Sequence, residues 1–158
     1  MARVGQMVRT AVMVSDLDRS TKFYREILGL NGVYSEGELK SPAAAQLLGM
    51  PASSITRYRI VKADGPNRGM VGLFEVSNPA PEPLPKRGAS VRVGEGVMVF
   101  YCDDTDAVHK KLVAGGHTVV CPPVFLQVRE GRGQPEMVFA DPDGMLINLI
   151  QRAPDDPD

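Results

Sequence analysis

The residue types that carry most enzymatic chemistry are scarce in this 158-residue sequence: it holds two histidines and two cysteines. His109 stands beside Lys110 and Lys111 in a helical stretch and reads as a solvated surface side chain. His117 follows Gly115-Gly116 and reads as a loop residue. Cys102 reads as a small core residue, and Cys121 precedes Pro122-Pro123 with no base or cation to activate it. Their spacing gives neither a CxxC pair nor a disulfide framework. Tyr101 offers a phenol that could donate a proton, or that packs as an ordinary strand tyrosine with its hydroxyl at the edge. DPDG (141–144) lacks the remaining ligands of a calcium loop, and Pro142 and Gly144 suit a tight turn instead. No phosphate-binding glycine motif and no nucleophile–base pair is visible. One oddity remains: Asn148 puts an amide into the apolar run Met145, Leu146, Ile147, Leu149, Ile150.

The elements that must position these residues recur along the chain. VRTAVMVSDLD (8–18) alternates as a strand and runs into an acidic cap, where Asp16 or Asp18 can accept from the free N–H groups of a helix. That helix is RSTKFYREILGL, with Phe23–Ile27 and Tyr24–Leu28 as apolar pairs one turn apart and Gly29 as its stop. GVMVFYCDDTDAVHKKLVAGG (96–116) repeats this order: an alternating strand, a cap within Asp103 to Asp106, a helix burying Val108 and Leu112, and a stop at Gly115-Gly116. Arg9 lies seven residues before Asp16, as Val97 does before Asp104. After the first helix come a variable loop (34–55), TRYRIVKA and MVGLFEV; after the second come HTVVCPPV, FLQVREG and PEMVFADPDGMLINLI. REGRGQ (129–134) reads as a flexible loop. The expected organisation is a single domain with a first module over 5–78, a proline-rich connector at 79–91, a second module over 92–152 and a tail at 153–158.

Composition excludes several classes of function. With 43% apolar and 23% charged residues the chain is ordinary globular protein. A formal net charge of −1 leaves no electrostatic footprint for nucleic acid or an anionic membrane. No apolar run approaches the roughly 18 residues of a membrane helix, and no signal peptide is evident, so a cytoplasmic location is expected.

VSDLDRSTKFYREILGL, CDDTDAVHKKLVAGGHTV and FADPDGMLINL, at this spacing on a duplicated plan, resemble the vicinal oxygen chelate superfamily of glyoxalase I, bleomycin-resistance proteins and extradiol dioxygenases. The resemblance covers essentially the whole chain. It implies an α+β fold of two βαβββ modules forming a curved mixed sheet that encloses a cup for a small molecule. In metal-using members four cup-facing side chains, usually two histidines and two carboxylates, hold a divalent ion. The corresponding positions here are Arg9, Gly72, Val97 and Asn148. Arg9 is a permanent cation, Gly72 and Val97 have no donor atom, and a neutral amide is a poor lone anchor. The expectation is therefore no metal and no cofactor. Glu75 lies three residues beyond Gly72, and an odd offset turns it to the opposite side of the strand unless a bulge intervenes.

Under the same resemblance, parity assigns the cup lining. Arg9, Ala11 and Met13 come from the opening strand, and Met70, Gly72 and Phe74 from the last strand of the first module. Val97, Val99, Tyr101, Leu146 and Asn148 come from the second. Thr10, Val12, Val14, Met98, Phe100, Cys102, Ile147 and Leu149 then pack under the helices. Met13, Phe74 and Tyr101 suit a flat ligand. Arg9 either grips an oxyanion, pairs with a neighbouring carboxylate or carries its head to the rim. Asn148 either orients a ligand or satisfies a buried backbone group. The expected ligand-binding set is Arg9, Met13, Phe74, Val97, Tyr101, Leu146 and Asn148. The first functional reading is a metal-free binder of a small aromatic or carboxylated metabolite. Its alternatives are a metal-independent isomerase or lyase using Arg9, Tyr101 and Asn148, and a metal-dependent lyase or dioxygenase with atypical ligands. The resemblance also suggests a homodimer.

Overall fold

In the computed structural model, which describes residues 2–86 and 90–152, the repeat becomes two sheets of identical plan. The valine-rich alternating segment forms β1 (Arg9–Met13) and enters α1 (Leu17–Leu28). Asp16 caps this helix, its Oδ1 accepting from the backbone N–H groups of Asp18 at 3.0 Å and Arg19 at 2.8 Å. Gly29 ends it in the left-handed conformation, φ 69°, which glycine reaches without steric penalty. β2 (Gly32–Leu39), α2 (Pro42–Leu47), β3 (Ile55–Lys62) and β4 (Met70–Ser77) complete the first unit. The second consists of β5 (Val97–Cys102), α3 (Thr105–Ala114), β6 (Val119–Arg129), β7 (Arg132–Ala140) and β8 (Leu146–Gln151). The chain divides into two compact units, the first ending at Pro83 and the second beginning at Leu84.

Strand order is β1-β4-β3-β2 in one sheet and β5-β8-β7-β6 in the other. In each, the opening strand pairs parallel with the last, and the remaining neighbours are antiparallel. The fold is thus α+β, two open four-stranded mixed sheets with helices, neither closed into a barrel. Register repeats as well: Arg9 pairs with Met70 and Ala11 with Gly72, while Val97 pairs with Leu146 and Val99 with Asn148.

Helix-facing side chains supply each core. Val12 and Val14 are buried in the first unit together with Phe23, Tyr24, Val71 and Leu73, and α1 packs against β3 and β4. Phe23 and Tyr24 meet edge to face, with ring centroids 5.5 Å apart. In the second unit Leu112, Phe139, Ile147 and Leu149 are buried where α3 packs against β6, β7 and β8. Burial of each such side chain contributes about 1.5–3 kcal/mol.

The last strand of each unit also ties down its helix. The Glu75 carboxylate of β4 accepts from the backbone N–H of Leu17, the first residue of α1, at 2.7 Å. Gln151 of β8 does the same for α3, its Oε1 accepting from the Thr105 backbone N–H at 2.9 Å and the Thr105 hydroxyl at 2.8 Å. These helix-start donors have no intrahelical acceptor, so a polar side chain from the sheet satisfies them. Glu75 and Gln151 each lie three residues past the matched positions Gly72 and Asn148.

Three sequence expectations need correction. Residues 34–55 are not simply a loop: they hold most of β2 and all of α2. β2 escaped recognition because it is a polar edge strand, mostly exposed, with little apolar alternation to read. REGRGQ is not a flexible loop but the tip of the β6–β7 hairpin, where Arg129 pairs with Arg132. Two further runs, HTVVCPPV and FLQVREG, belong to the single strand β6, whose register shifts absorb the prolines. The tail at 153–158 lies outside the described residues.

Candidate functional site

The side of each sheet turned away from its helix carries the residues matched to the superfamily's ligand positions. In the first unit Arg9, Ala11 and Met13 are exposed on that far face, whereas Val12 and Val14 turn inward. Met70, Gly72 and Phe74 lie opposite them on β4, as parity requires. The space over Gly72 is already taken. A Cβ there would stand 2.8 Å from the Phe74 ring and 3.6 Å from Cδ of Arg9. Phe74 in turn stacks on Tyr58 of β3, with centroids 6.1 Å apart and planes inclined by 21°. The Tyr58 and Ser35 hydroxyls are 3.0 Å apart. Among the described residues no carboxylate pairs with Arg9, so the exposed guanidinium is available to a ligand.

In the second unit Val97, Val99 and Tyr101 are exposed on the far face, with Leu146 buried and Asn148 half-buried beside them. The Asn148 amide nitrogen donates to Oε2 of Glu136 at 3.2 Å and to the Met137 carbonyl at 3.3 Å. Gln134 donates to the other Glu136 oxygen at 2.8 Å. Two neutral amides thus brace one carboxylate on β7. Among the described residues nothing donates to the Asn148 carbonyl oxygen, which leaves an acceptor on this face.

Sequence reading missed Tyr58 and Glu136, although hairpin geometry held the signal. The DPDG turn is built as expected: Oδ1 of Asp141 accepts from Asp143 N–H at 2.9 Å and Met145 N–H at 2.8 Å. Centred there, the hairpin pairs Val138 with Asn148 and puts Glu136 one same-face step away, opposite Ile150. Tyr58 follows likewise as the partner of Phe74.

The remaining chemical candidates are engaged in structure. Glu75 faces α1, away from Gly72; besides capping that helix, it pairs with Arg57 at 3.2 Å. Arg57 and Arg59 both have raised pKa values, Arg57 chiefly from the Glu75 charge and Arg59 chiefly from its hydrogen bond to Glu36, at 2.6 Å. Burial pushes the Cys102 thiol up, keeping it protonated and a poor nucleophile. His109 is half-buried on α3, and His117 packs its ring where a side chain on Gly115 would collide with it at 2.7 Å. Among the described residues no group of three or more His, Cys, Asp or Glu could hold a metal ion. No helix of the described residues is long and apolar enough to cross a membrane.

Two duplicated strand–helix–strand units with these far-face positions define a glyoxalase-like fold, and comparison with known proteins agrees. The profile of the Glyoxalase/Bleomycin resistance protein/Dioxygenase superfamily matches residues 6–149, and the chain belongs to that superfamily. A glyoxalase family protein from Bacillus cereus is similar in structure, with a TM-score of 0.70, 18% identity and 95% of each chain covered. Glyoxalase I from Zea mays gives a TM-score of 0.64 at 21% identity, covering 94% of this chain and 45% of that one. A glyoxylase/bleomycin resistance protein/dioxygenase domain from Frankia gives 0.60 at 16% identity, covering 98% and 96%. Identities this low bear on the fold alone. A search of curated protein sequences returns no match.

Proposed function

We propose that this protein binds a small aromatic or carboxylated metabolite on the far faces of its sheets, without a metal ion. One observation carries the reading: at Gly72, where the superfamily places a metal-binding carboxylate, the Phe74 ring stands 2.8 Å from where a Cβ would be and takes up the space a ligand side chain would need. The other matched positions do not compensate. Arg9 repels a cation, Val97 offers no donor atom, and the Asn148 amide nitrogen is committed to Glu136 and Met137. The residues present therefore do not fit the metal. In the first unit Arg9 offers a fork to an oxyanion beside the apolar surface of Met13 and Phe74; in the second, taken by itself, Val97 and Tyr101 offer apolar or aromatic surface, Leu146 a buried floor and the Asn148 side-chain carbonyl an acceptor.

A second reading has support in Glu136. A braced carboxylate beside Asn148 and Tyr101's sheet could accept a proton, which gives the metal-independent isomerase or lyase alternative a base. The metal-dependent alternative would require ligands other than those four positions. The reading also includes a cytoplasmic homodimer, which sedimentation velocity tests as to assembly.

The deciding experiment is elemental analysis of untagged protein purified without chelator and after exposure to zinc, nickel, iron and manganese. The metal-free protein is then titrated calorimetrically with benzoate and related aromatic acids, beside Arg9→Gln. No stoichiometric ion, with binding that weakens in R9Q, supports the proposal. An ion near one per chain overturns it, and turnover of a bound acid that disappears in R9Q moves the assignment to the enzyme reading.

A further inference from the structure

On the far face of the first sheet, two strand positions are glycines, and an aromatic ring lies beside each. Gly72 of β4 has the Phe74 ring 2.8 Å from where its Cβ would stand. Gly37 of β2 is the cross-strand partner of Tyr58, and a Cβ there would be in ordinary contact with the Tyr58 ring, at 3.5 Å. No side chain from Gly37 therefore crosses that ring, which lies nearly parallel to Phe74 with the planes inclined by 21°.

Register shows where the Tyr58 hydroxyl goes. Tyr58 pairs with Phe74, whereas Ser35 pairs with Ile60, two residues further along β3 and itself the partner of Gly72. The hydrogen bond between the Tyr58 and Ser35 hydroxyls, at 3.0 Å, thus means that the ring leans along its strand to the level of Gly72. At that level, from β1 to β2, stand Ala11, Gly72, Ile60 and Ser35. Arg9 lies one same-face step away on β1, and its Cδ is 3.6 Å from the Gly72 Cβ position, so its arm runs inward over the sheet. Adjacent strands are about 4.8 Å apart, which separates β1 from β2 by about 14 Å. With the reach of Arg9 subtracted, one ring with a polar group at each end spans the remainder.

The two hydroxyls have a donor to spare. Each carries one O–H proton, and their mutual bond uses only one of the two. Among the described residues nothing else bonds to either group. The hydroxyl whose oxygen accepts the mutual bond is polarised by it and donates more strongly. The half-buried pair is thus a preorganised donor, across the face from the Arg9 cation.

We infer that the Tyr58–Ser35 pair sets specificity on this face: it donates to a carbonyl or ether oxygen of an aromatic acid whose carboxylate meets Arg9. The inference rests on the metabolite-binding reading above and narrows it, requiring of the ligand an acceptor opposite its acid group.

The test is amide-resolved NMR titration of the full chain with two aromatic acids of similar shape. Para-acetylbenzoate has the acceptor and para-isopropylbenzoate lacks it. In the wild-type protein the acetyl acid is expected to shift the amides of Ser35 and Tyr58 more than the isopropyl acid does. The variant carrying both Tyr58→Phe and Ser35→Ala keeps the rings and leaves no hydroxyl unpaired, so it should keep the dispersed spectrum of the folded protein. Its preference for the acetyl over the isopropyl acid should fall about three- to tenfold, the worth of one net hydrogen bond. Comparing ratios cancels the greater apolar surface of the isopropyl group. A ratio unchanged in the variant overturns the inference, as do equal shifts at Ser35 and Tyr58 in the wild-type protein. Shifts gathered at residues 97–102 and 146–151 overturn this assignment while leaving small-molecule binding intact. Binding of neither acid overturns the broader reading together with this one, whereas binding of both at an unchanged ratio overturns this one alone.

Discussion

Replacing Glu75 with alanine tests the distinction between a structural and a metal-binding carboxylate. In the structure Glu75 accepts from the Leu17 N–H at 2.7 Å and from Arg57 at 3.2 Å. A hydrogen bond to a charged group contributes about 1.5–3 kcal/mol, and the anion also complements the positive end of α1 by about 0.3–1 kcal/mol. Solvent can reach a partly buried helix start, which favours the low end of the first figure. The Arg57 contact adds little, because that side chain is 46% exposed. The expected loss is therefore about 2 kcal/mol. For a chain of this length that lowers Tm by about 4–8 °C. Glu75→Gln keeps an acceptor but not the charge and should lose about half as much. Thermal unfolding by circular dichroism, with and without added zinc, is the assay. An E75A protein as stable as wild type would refute the capping argument. A zinc-induced rise in wild-type Tm that vanishes in E75A would make Glu75 a metal ligand and refute the parity argument with it.

The remaining expectations concern Gly72 and the buried thiol. Gly72→Ala should destabilise by about 1 kcal/mol, since its Cβ displaces the Phe74 ring from Tyr58 and offsets the usual strand gain of alanine over glycine. In a Phe74→Ala background the same change should cost nothing or stabilise, and an unchanged penalty in that double-mutant cycle would contradict the steric account. Cys102, with its pKa raised by burial, remains largely protonated at about pH 8 and gains thiolate only as pH rises further. Alkylation followed by peptide mass spectrometry should label it more slowly than the same residue in urea-unfolded protein, and equal rates would show the thiol is not shielded.

Much of the architecture was legible in the chain because each device is local. Alternation marked β1 and β5, acidic caps and glycine stops bounded α1 and α3, and the DPDG turn is stabilised by its own aspartate. Parity then sorted side chains between faces correctly, with Arg9, Ala11 and Met13 outside and Val12 and Val14 inside. β2 was not legible, since an exposed edge strand has no buried face to impose an apolar pattern.

The sequence by itself determined the duplicated plan and the residue types at the matched positions, because strand parity, caps and turns act over a few residues. It did not determine what surrounds them. Phe74 beside Tyr58 and Glu136 against Asn148 are contacts between residues that share a face only after the strands pair. Glu75 gave the same lesson from the other side of the sheet: its distance from Gly72 in sequence excludes it from that face, but only the packing of α1 on β4 gives it a partner. Such neighbours are set by sheet register and helix docking, which are properties of the folded chain.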